Sequence, residues 1–184
     1  RMAPFPQAEA EATVEAALGK PLRAIYGSFG PAVAAASIAQ VHRAEVAEGP
    51  VAVKVLRPGI ERRFKSDLDT LYFAARNAER HSAEARRLRM IEVVDTLARS
   101  VTIEMDLRLE AAAIAEMRDN VKDDADFRVP VVDWDRTARG ALTLEWIDGT
   151  ALSNRAALEA RGLDLPALGR ALMQTFLRHA LRDG

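Results

Sequence analysis

With 184 residues, of which 49% are hydrophobic and 29% charged, the chain has the composition of a folded globular protein of about one domain. Its 26 basic and 27 acidic side chains leave a net charge of -1, which gives no electrostatic reason to expect nucleic acid as a partner. The absence of cysteine excludes disulfides and thiolate metal sites and fits a reducing compartment.

The chain begins at Arg1 with no basic segment leading into an apolar run, so no signal peptide is visible, and the start suggests processing or an excised fragment. Residues 7–18 are mostly Ala and Glu with Val14 and Leu18 four apart, which predicts a short helix ended by Gly19 and Pro21. The longest uncharged run, residues 24–41, is interrupted by Gly27, Ser28, Gly30, Pro31, Ser37 and Gln40. It predicts strand, loop and strand, with strands at residues 25–29 and 38–46, and not a membrane-spanning helix. Gly49-Pro50 turns the chain into a third strand, residues 51–56. There Val51, Val53 and Val55 share one face while Ala52, Lys54 and Leu56 share the other, so Lys54 is a lone charge among apolar neighbours.

Pro58-Gly59 breaks that strand, and Ile60, Phe64, Leu68, Leu71, Tyr72 and Ala75 then recur at helical spacing to about Arg80. The arginine-rich stretch from 76 to 89 reads as a solvated helix face and connector, followed by helices at residues 91–105 and 107–120. Residues 127–134 and 141–147 predict two more strands, with Trp134 and Trp146 in core and hinge packing. Ser153 is expected to cap a short helix that Gly162 terminates. Asp164 and Pro166 open another, lined by Leu165, Leu168, Leu172 and Phe176. The order is three strands, a helical insertion, two strands and then helices, an α+β lobe with an antiparallel sheet.

A valine-rich strand ending in lysine is a weak signal alone, and strengthens when a small-residue loop precedes it and a helical carboxylate follows. Candidate carboxylates lie in Glu104-Met105-Asp106-Leu107-Arg108-Leu109-Glu110. On one helix, Asp106 and Glu110 would repel by about 0.2 to 0.5 kcal/mol unless cations answer them, and Lys54 is a candidate to answer Glu110. Glu104 lies about 200 degrees around from Asp106, so joint use of these two acids requires a helix end between them. The alternative pairs Glu104 with Arg108 and leaves all three acids exposed. His42 reads as a strand histidine with a structural hydrogen bond and His81 as solvated, and no three residues have zinc-ligand spacing.

Together these segments resemble the UbiB family, the AarF-domain proteins of the atypical protein-kinase-like superfamily. PAVAAASIAQVHRA is similar to the alanine-rich loop and following strand that replace a glycine-rich loop in that family. VAVKVLRPGI resembles its lysine strand, EMDLRLEA its E-x-D signature, and VPVVDW with LTLEWIDG the strand pair leading into the hinge. The resemblance covers residues 22–184. It implies a kinase-like small lobe over residues 1–147, a five-stranded antiparallel sheet with an αC-type helix and long helices inserted at about 59–103. The hinge exit and first large-lobe helices would follow at 148–184.

The resemblance makes Lys54 the nucleotide-phosphate lysine and Glu110 its ion-pair partner, with Ala34, Ala35, Ala36 and Ser37 as the loop over the phosphates. It makes Leu144 the gatekeeper and brings backbone groups of Glu145 and Ile147 to the adenine edge. Glu104 and Asp106 match acids that face a lysine of an upstream K-x-G-Q motif, which has no counterpart here. Alanine in the phosphate loop restricts positive φ and holds the backbone away from a ligand, so a stiffer loop with poor transfer to bulky protein acceptors is expected. The implied cofactors are ATP and Mg2+, with the metal ligands outside this chain. Family members continue past a sequence like LRHALRDG into a catalytic loop and a metal-binding Asp-Phe-Gly; His179, Arg182 and Asp183 imitate His-Arg-Asp by composition only, and Asp183 is not assigned as catalytic. A link to ubiquinone or isoprenoid-lipid metabolism is implied, in the cytoplasm or peripheral to a membrane. The alternatives are a non-catalytic pseudokinase-like scaffold or lipid-binding regulator, and a plain helical scaffold with a hairpin, which predicts no five-stranded sheet.

Overall fold

Alternation along the valine-rich strand decides the architecture, because it gives the sheet two apolar faces, each needing a cover. The computed structural model describes residues 3–124 and 126–182, so Asp183 lies outside the described residues. Helices α1 (Gln7–Leu18) and α2 (Leu22–Ile25) precede strands β1 (Ser28–Ala35), β2 (Ala39–Val46) and β3 (Gly49–Leu56). Helices α3 (Ile60–His81), α4 (Ala83–Arg87), α5 (Met90–Glu104) and α6 (Leu107–Asn120) follow, then β4 (Val132–Ala138), β5 (Ala141–Glu145), α7 (Arg155–Ala160) and α8 (Leu165–Arg182). The five strands form one antiparallel sheet in the order β1-β2-β3-β5-β4. The plain helical alternative is therefore excluded.

One face is closed by α1. Ala10 and Val14 pack with Val51, Val53, Val55 and Ala141, and Val14, Val53 and Val55 are fully buried. Polar groups on this face are buried too, and each has its partner. His42 Nδ1–H donates to the Gly30 carbonyl at 2.8 Å, and its Nε2 accepts from the Gln40 amide at 2.9 Å. Burial holds the His42 pKa below its ordinary value against the opposing pull of the Gly30 carbonyl, so the ring is neutral and its role structural. The Gln40 side chain also brackets the Phe5 peptide, accepting from its N–H at 2.9 Å and donating to its carbonyl at 3.3 Å.

The other face is covered in part by α6. Leu107 and Ala111, four apart on one side of that helix, are fully buried against Ala39, Leu56, Val132 and Leu142. Complete burial of a leucine contributes about 1.5 to 3 kcal/mol, enough to fix a short helix in position. The insertion is a helical hairpin in which the Tyr72 hydroxyl donates to Asp95 at 2.7 Å and Glu79 accepts the Ile91 N–H at 3.0 Å. At the far end, α8 docks on the preceding loop through Asp124, which Arg178, His179 and Arg182 approach to 3.4, 3.3 and 3.1 Å.

Several local expectations are corrected. The strand expected at 25–29 starts later, at Ser28, because α2 takes in Ile25, and β1 runs on through Ala35, so the small-residue loop shrinks to a turn at residues 36–38. Pro31 is accommodated because β1 is a sheet edge. β4 begins at Val132 and not at 127, since Pro130 has no N–H to offer a ladder. Its pairing with β5 becomes irregular after Asp133, which leaves Trp134 54% exposed instead of in the core. Asn154, not Ser153, caps α7, its side chain accepting from the Ala157 N–H at 3.2 Å. In α8 the buried residue is Thr175, while Leu172 and Phe176 face outward.

Candidate functional site

Lys54 stands on the central strand, in register with Val41 of β2 on one side and Leu142 of β5 on the other. Its even position turns it away from α1 and toward α6. Its Nζ donates to both oxygens of Glu110, at 2.8 Å to Oε1 and 2.6 Å to Oε2. Glu110 lies in the first turn of α6, where the helix dipole favours a carboxylate. Besides the buried Leu107 and Ala111, the start of α6 is anchored by the Leu107 N–H, which donates to the Arg139 carbonyl at 3.0 Å. The Lys54 and Glu110 side chains stay 27% and 38% exposed. A pair this open contributes at most about 1 kcal/mol to folding. Its effect is to hold a long ammonium side chain at one place on an accessible sheet face.

The two other acids fall at a helix junction. α5 ends at Glu104, and Asp106 is the N-cap of α6, accepting from the Arg108 N–H at 3.1 Å and from its guanidinium at 2.9 and 2.6 Å. This bidentate hydrogen bond to Arg108 is the main reason the Asp106 pKa lies below its ordinary value, and the cap hydrogen bond adds to it. Asp106 and Glu110 are thus answered by different cations. Arg108 is drawn to Asp106, not to Glu104 as the exposed-acid alternative supposes, and Glu104 itself is exposed.

Ala34 and Ala35 belong to the β1–β2 ladder, paired with Val41 and Gln40, and the turn beyond them is closed by the Ala36 N–H on the Ala39 carbonyl at 2.8 Å. Ser37 lies within that turn. Arg57, just past the end of β3, donates to the Ala36 carbonyl from Nε at 3.3 Å and Nη2 at 3.1 Å, and its N–H donates to the Ile38 carbonyl at 2.8 Å. At the other end of the sheet, half-buried Leu144 pairs with Ala52 of β3 and Val132 of β4. The Glu145 N–H donates to the Val131 carbonyl at 2.8 Å, and the Glu145 carboxylate is engaged by Arg128 and the Val131 N–H. β5 ends at Glu145, Ile147 follows at 39% exposure, and between them Trp146 donates to Asp148 at 2.8 Å with the Arg43 guanidinium 5.2 Å over its ring.

Ala52, expected by strand parity on the Lys54 face, abuts Leu144 there. Arg57 had no signal, because its partners are backbone carbonyls far away in sequence.

A five-stranded antiparallel sheet whose central lysine is held by a glutamate on the helix packed beneath it has the arrangement of a kinase-like small lobe. The comparisons narrow that class. A family model described as the ABC1 atypical kinase-like domain matches residues 1–184, and the chain belongs to that family. It is 36% identical over 185 residues to the probable protein kinase UbiB of Marinobacter nauticus, and 36% identical over 185 residues to that of Azotobacter vinelandii. It is 38% identical over 190 residues to that of Xanthomonas euvesicatoria pv. vesicatoria. Each match covers 100% of this chain and 34% of the relative. The chain therefore spans about a third of the length of the curated relatives it matches.

Proposed function

We propose that this chain is the ATP-binding part of a UbiB-like atypical kinase or ATPase. The observation that carries the reading is the bidentate Lys54–Glu110 pair on a half-open sheet face. An ammonium has three donors, so two can remain on Glu110 while the third meets a phosphate oxygen. Ala34 and Ala35 at the end of β1, with Ala36 and Ser37 in the turn, would cover the phosphates, and Ala52 and Leu144 would offer the adenine ring apolar contacts. Because the Glu145 N–H is already used by Val131, the group Glu145 presents to the adenine edge is its carbonyl, with the backbone of Ile147 beside it.

Among the described residues no group of three His, Asp or Glu side chains is gathered that could hold a metal. The described residues offer no ligand set for Mg2+, and its ligands would come from outside this chain. Bound ATP would supply a transferable γ-phosphate; Lys54 and Glu110 would orient it, and transfer would need a catalytic Asp and Asn contributed elsewhere in the full protein. Residues 1–147 would form the small lobe and 148–184 the hinge exit and first large-lobe helices. Glu104 and Asp106 would be regulatory acids at the junction of α5 and α6. The name of the relatives supports a link to ubiquinone or isoprenoid-lipid metabolism, with a lipid or membrane surface as partner. Among the described residues no helix is long and apolar enough to cross a membrane.

Binding of ATP to the purified chain, followed by titration calorimetry, tests the reading. Lys54→Ala is expected to weaken it by about 10- to 100-fold, the loss of one charge-assisted contact, and the 184 residues alone are expected to show no ATP turnover. Turnover abolished by Lys54→Ala would sink that division of labour. A second reading, a non-catalytic scaffold, draws on the exposed Phe73, Val93 and Leu97 of the inserted helices, which are 67%, 54% and 44% exposed. Equal ATP affinity in the unaltered chain and Lys54→Ala would favour it.

A further inference from the structure

Arg57 ties three separated pieces of backbone together. Its guanidinium donates to the Ala36 carbonyl in the alanine turn and, through Nη2, to the Ala3 carbonyl at 2.8 Å, while its own N–H holds the Ile38 carbonyl. The plane of the guanidinium also lies over the Phe5 ring, 5.3 Å from its centroid. Phe5 is in turn bracketed by the Gln40 side chain, and Gln40 is bonded to His42, which holds the Gly30 carbonyl near the other end of β1. The segment before α1 and Arg57 thus form a strap along the back of the β1–β2 hairpin.

The side on which this strap lies matters. Phe5 packs against the core on the α1 side, with Val53 and Val55, and Lys54 projects from the opposite side of the same strand. A trans peptide is planar, with its C=O and N–H pointing in opposite directions. Holding the Ala36 carbonyl toward Arg57 therefore aims the Ser37 N–H away from the Arg57 guanidinium. Alanine resists the left-handed conformations that would let this peptide flip, and a fork of donors on its carbonyl removes most of the remaining freedom.

We infer that Arg57 is a positioning residue for phosphate binding: acting from behind the sheet, it fixes the peptide between Ala36 and Ser37 so that the alanine turn keeps its Ser37 N–H in one orientation as a backbone donor for a phosphate. This rests on the nucleotide reading given above, and it adds that the stiffness of the turn comes from the strap as well as from the alanines. The ligand class it serves is the polyphosphate of a nucleotide, with no contribution to the base.

The test compares the full chain with Arg57→Ala, Arg57→Lys and Lys54→Ala, measuring binding of ATP and, separately, of adenosine, together with backbone amide exchange in the absence of any ligand. Arg57→Ala is expected to weaken ATP about tenfold, the size of one well-placed hydrogen bond to a charged group, with adenosine affinity unchanged. Arg57→Lys, which keeps the charge without the planar fork, is expected to recover part of the ATP affinity. Amide exchange at Ala36, whose N–H closes the turn on the Ala39 carbonyl, is expected to rise about tenfold or more in Arg57→Ala while the β3 amides keep their protection. Equal losses for ATP and adenosine would reduce Arg57 to a general structural role and overturn the inference, as would unaltered exchange at Ala36. Unchanged ATP affinity in Arg57→Ala beside a clear loss in Lys54→Ala would overturn this inference alone. Absence of ATP binding by the unaltered chain would overturn the nucleotide reading and this one with it.

Discussion

The two faces of the sheet solve the same problem in opposite ways. On the α1 face, His42 and Gln40 are buried at 0% and 1% exposure and linked in a closed chain of hydrogen bonds that ends on backbone carbonyls. On the α6 face, a charged pair sits at the margin of the apolar cluster and keeps about a third of its surface open. A polar group that is sealed and fully partnered serves the fold. One that is held in place yet left reachable adds little to stability, and its position has to be explained by something it meets.

That contrast can be broken at four places, in decreasing order of expected effect. Leu107→Ala removes a fully buried side chain from beneath α6 and is expected to cost about 2 to 5 kcal/mol in chemical denaturation. It should loosen Glu110 at the same time, so ATP affinity should fall with stability. His42→Ala leaves the Gly30 carbonyl and a Gln40 N–H without their partner on the sealed face, and a loss of about 1 to 3 kcal/mol is expected from the same measurement, with no specific effect on ATP once folded. Asp106→Ala removes the N-cap of α6 and should cost about 1 kcal/mol. Lys54→Ala is expected to change stability by less than about 1 kcal/mol while weakening ATP; a large loss of stability there would place the pair with the structural face.

Acid sharpens the same distinction. The Asp106, Asp124 and Asp126 pKa values are lowered by hydrogen-bonded arginines, chiefly Arg108, Arg182 and Arg178 respectively. For carboxyls held low in the folded state, the stability they contribute is fully present above the ordinary aspartate value of about 3.9 and disappears as pH falls through the folded values below it. Thermal melting followed by circular dichroism should therefore be flat with respect to these groups near neutrality and decline below about pH 4, less steeply in Asp106→Asn. A decline already complete at pH 6 would point to other groups.

Much of the fold was legible because it rests on periodicity. Val51, Val53 and Val55 at period two and Val94, Val101 and Met105 at helical spacing report their own burial, whereas on α3 Ala75 alone of the described residues is buried. The pairing of Lys54 with Glu110, 56 residues apart, was legible through the family resemblance, since strand parity and helix position alone left an exposed-acid alternative open. What escaped was set by long-range backbone contacts. The extent of β1 depends on pairing with β2 across a proline, the outward turn of Trp134 on a lapse in the β4–β5 ladder, and the role of Arg57 on carbonyls of Ala3 and Ala36 that carry no side-chain signature.

The irregular pairing of the outer strands has a consequence for how the protein behaves at high concentration. Both borders of the sheet are uneven: β1 shifts register twice against β2, and β4 shifts against β5, whereas the inner ladders β2–β3 and β3–β5 run without interruption. A bulged border twists away from the flat row of donors and acceptors that an incoming strand from another molecule would need. The sheet therefore resists growing edge to edge into polymers, and the same kinks that shape the hairpin beside Lys54 help keep the protein in solution.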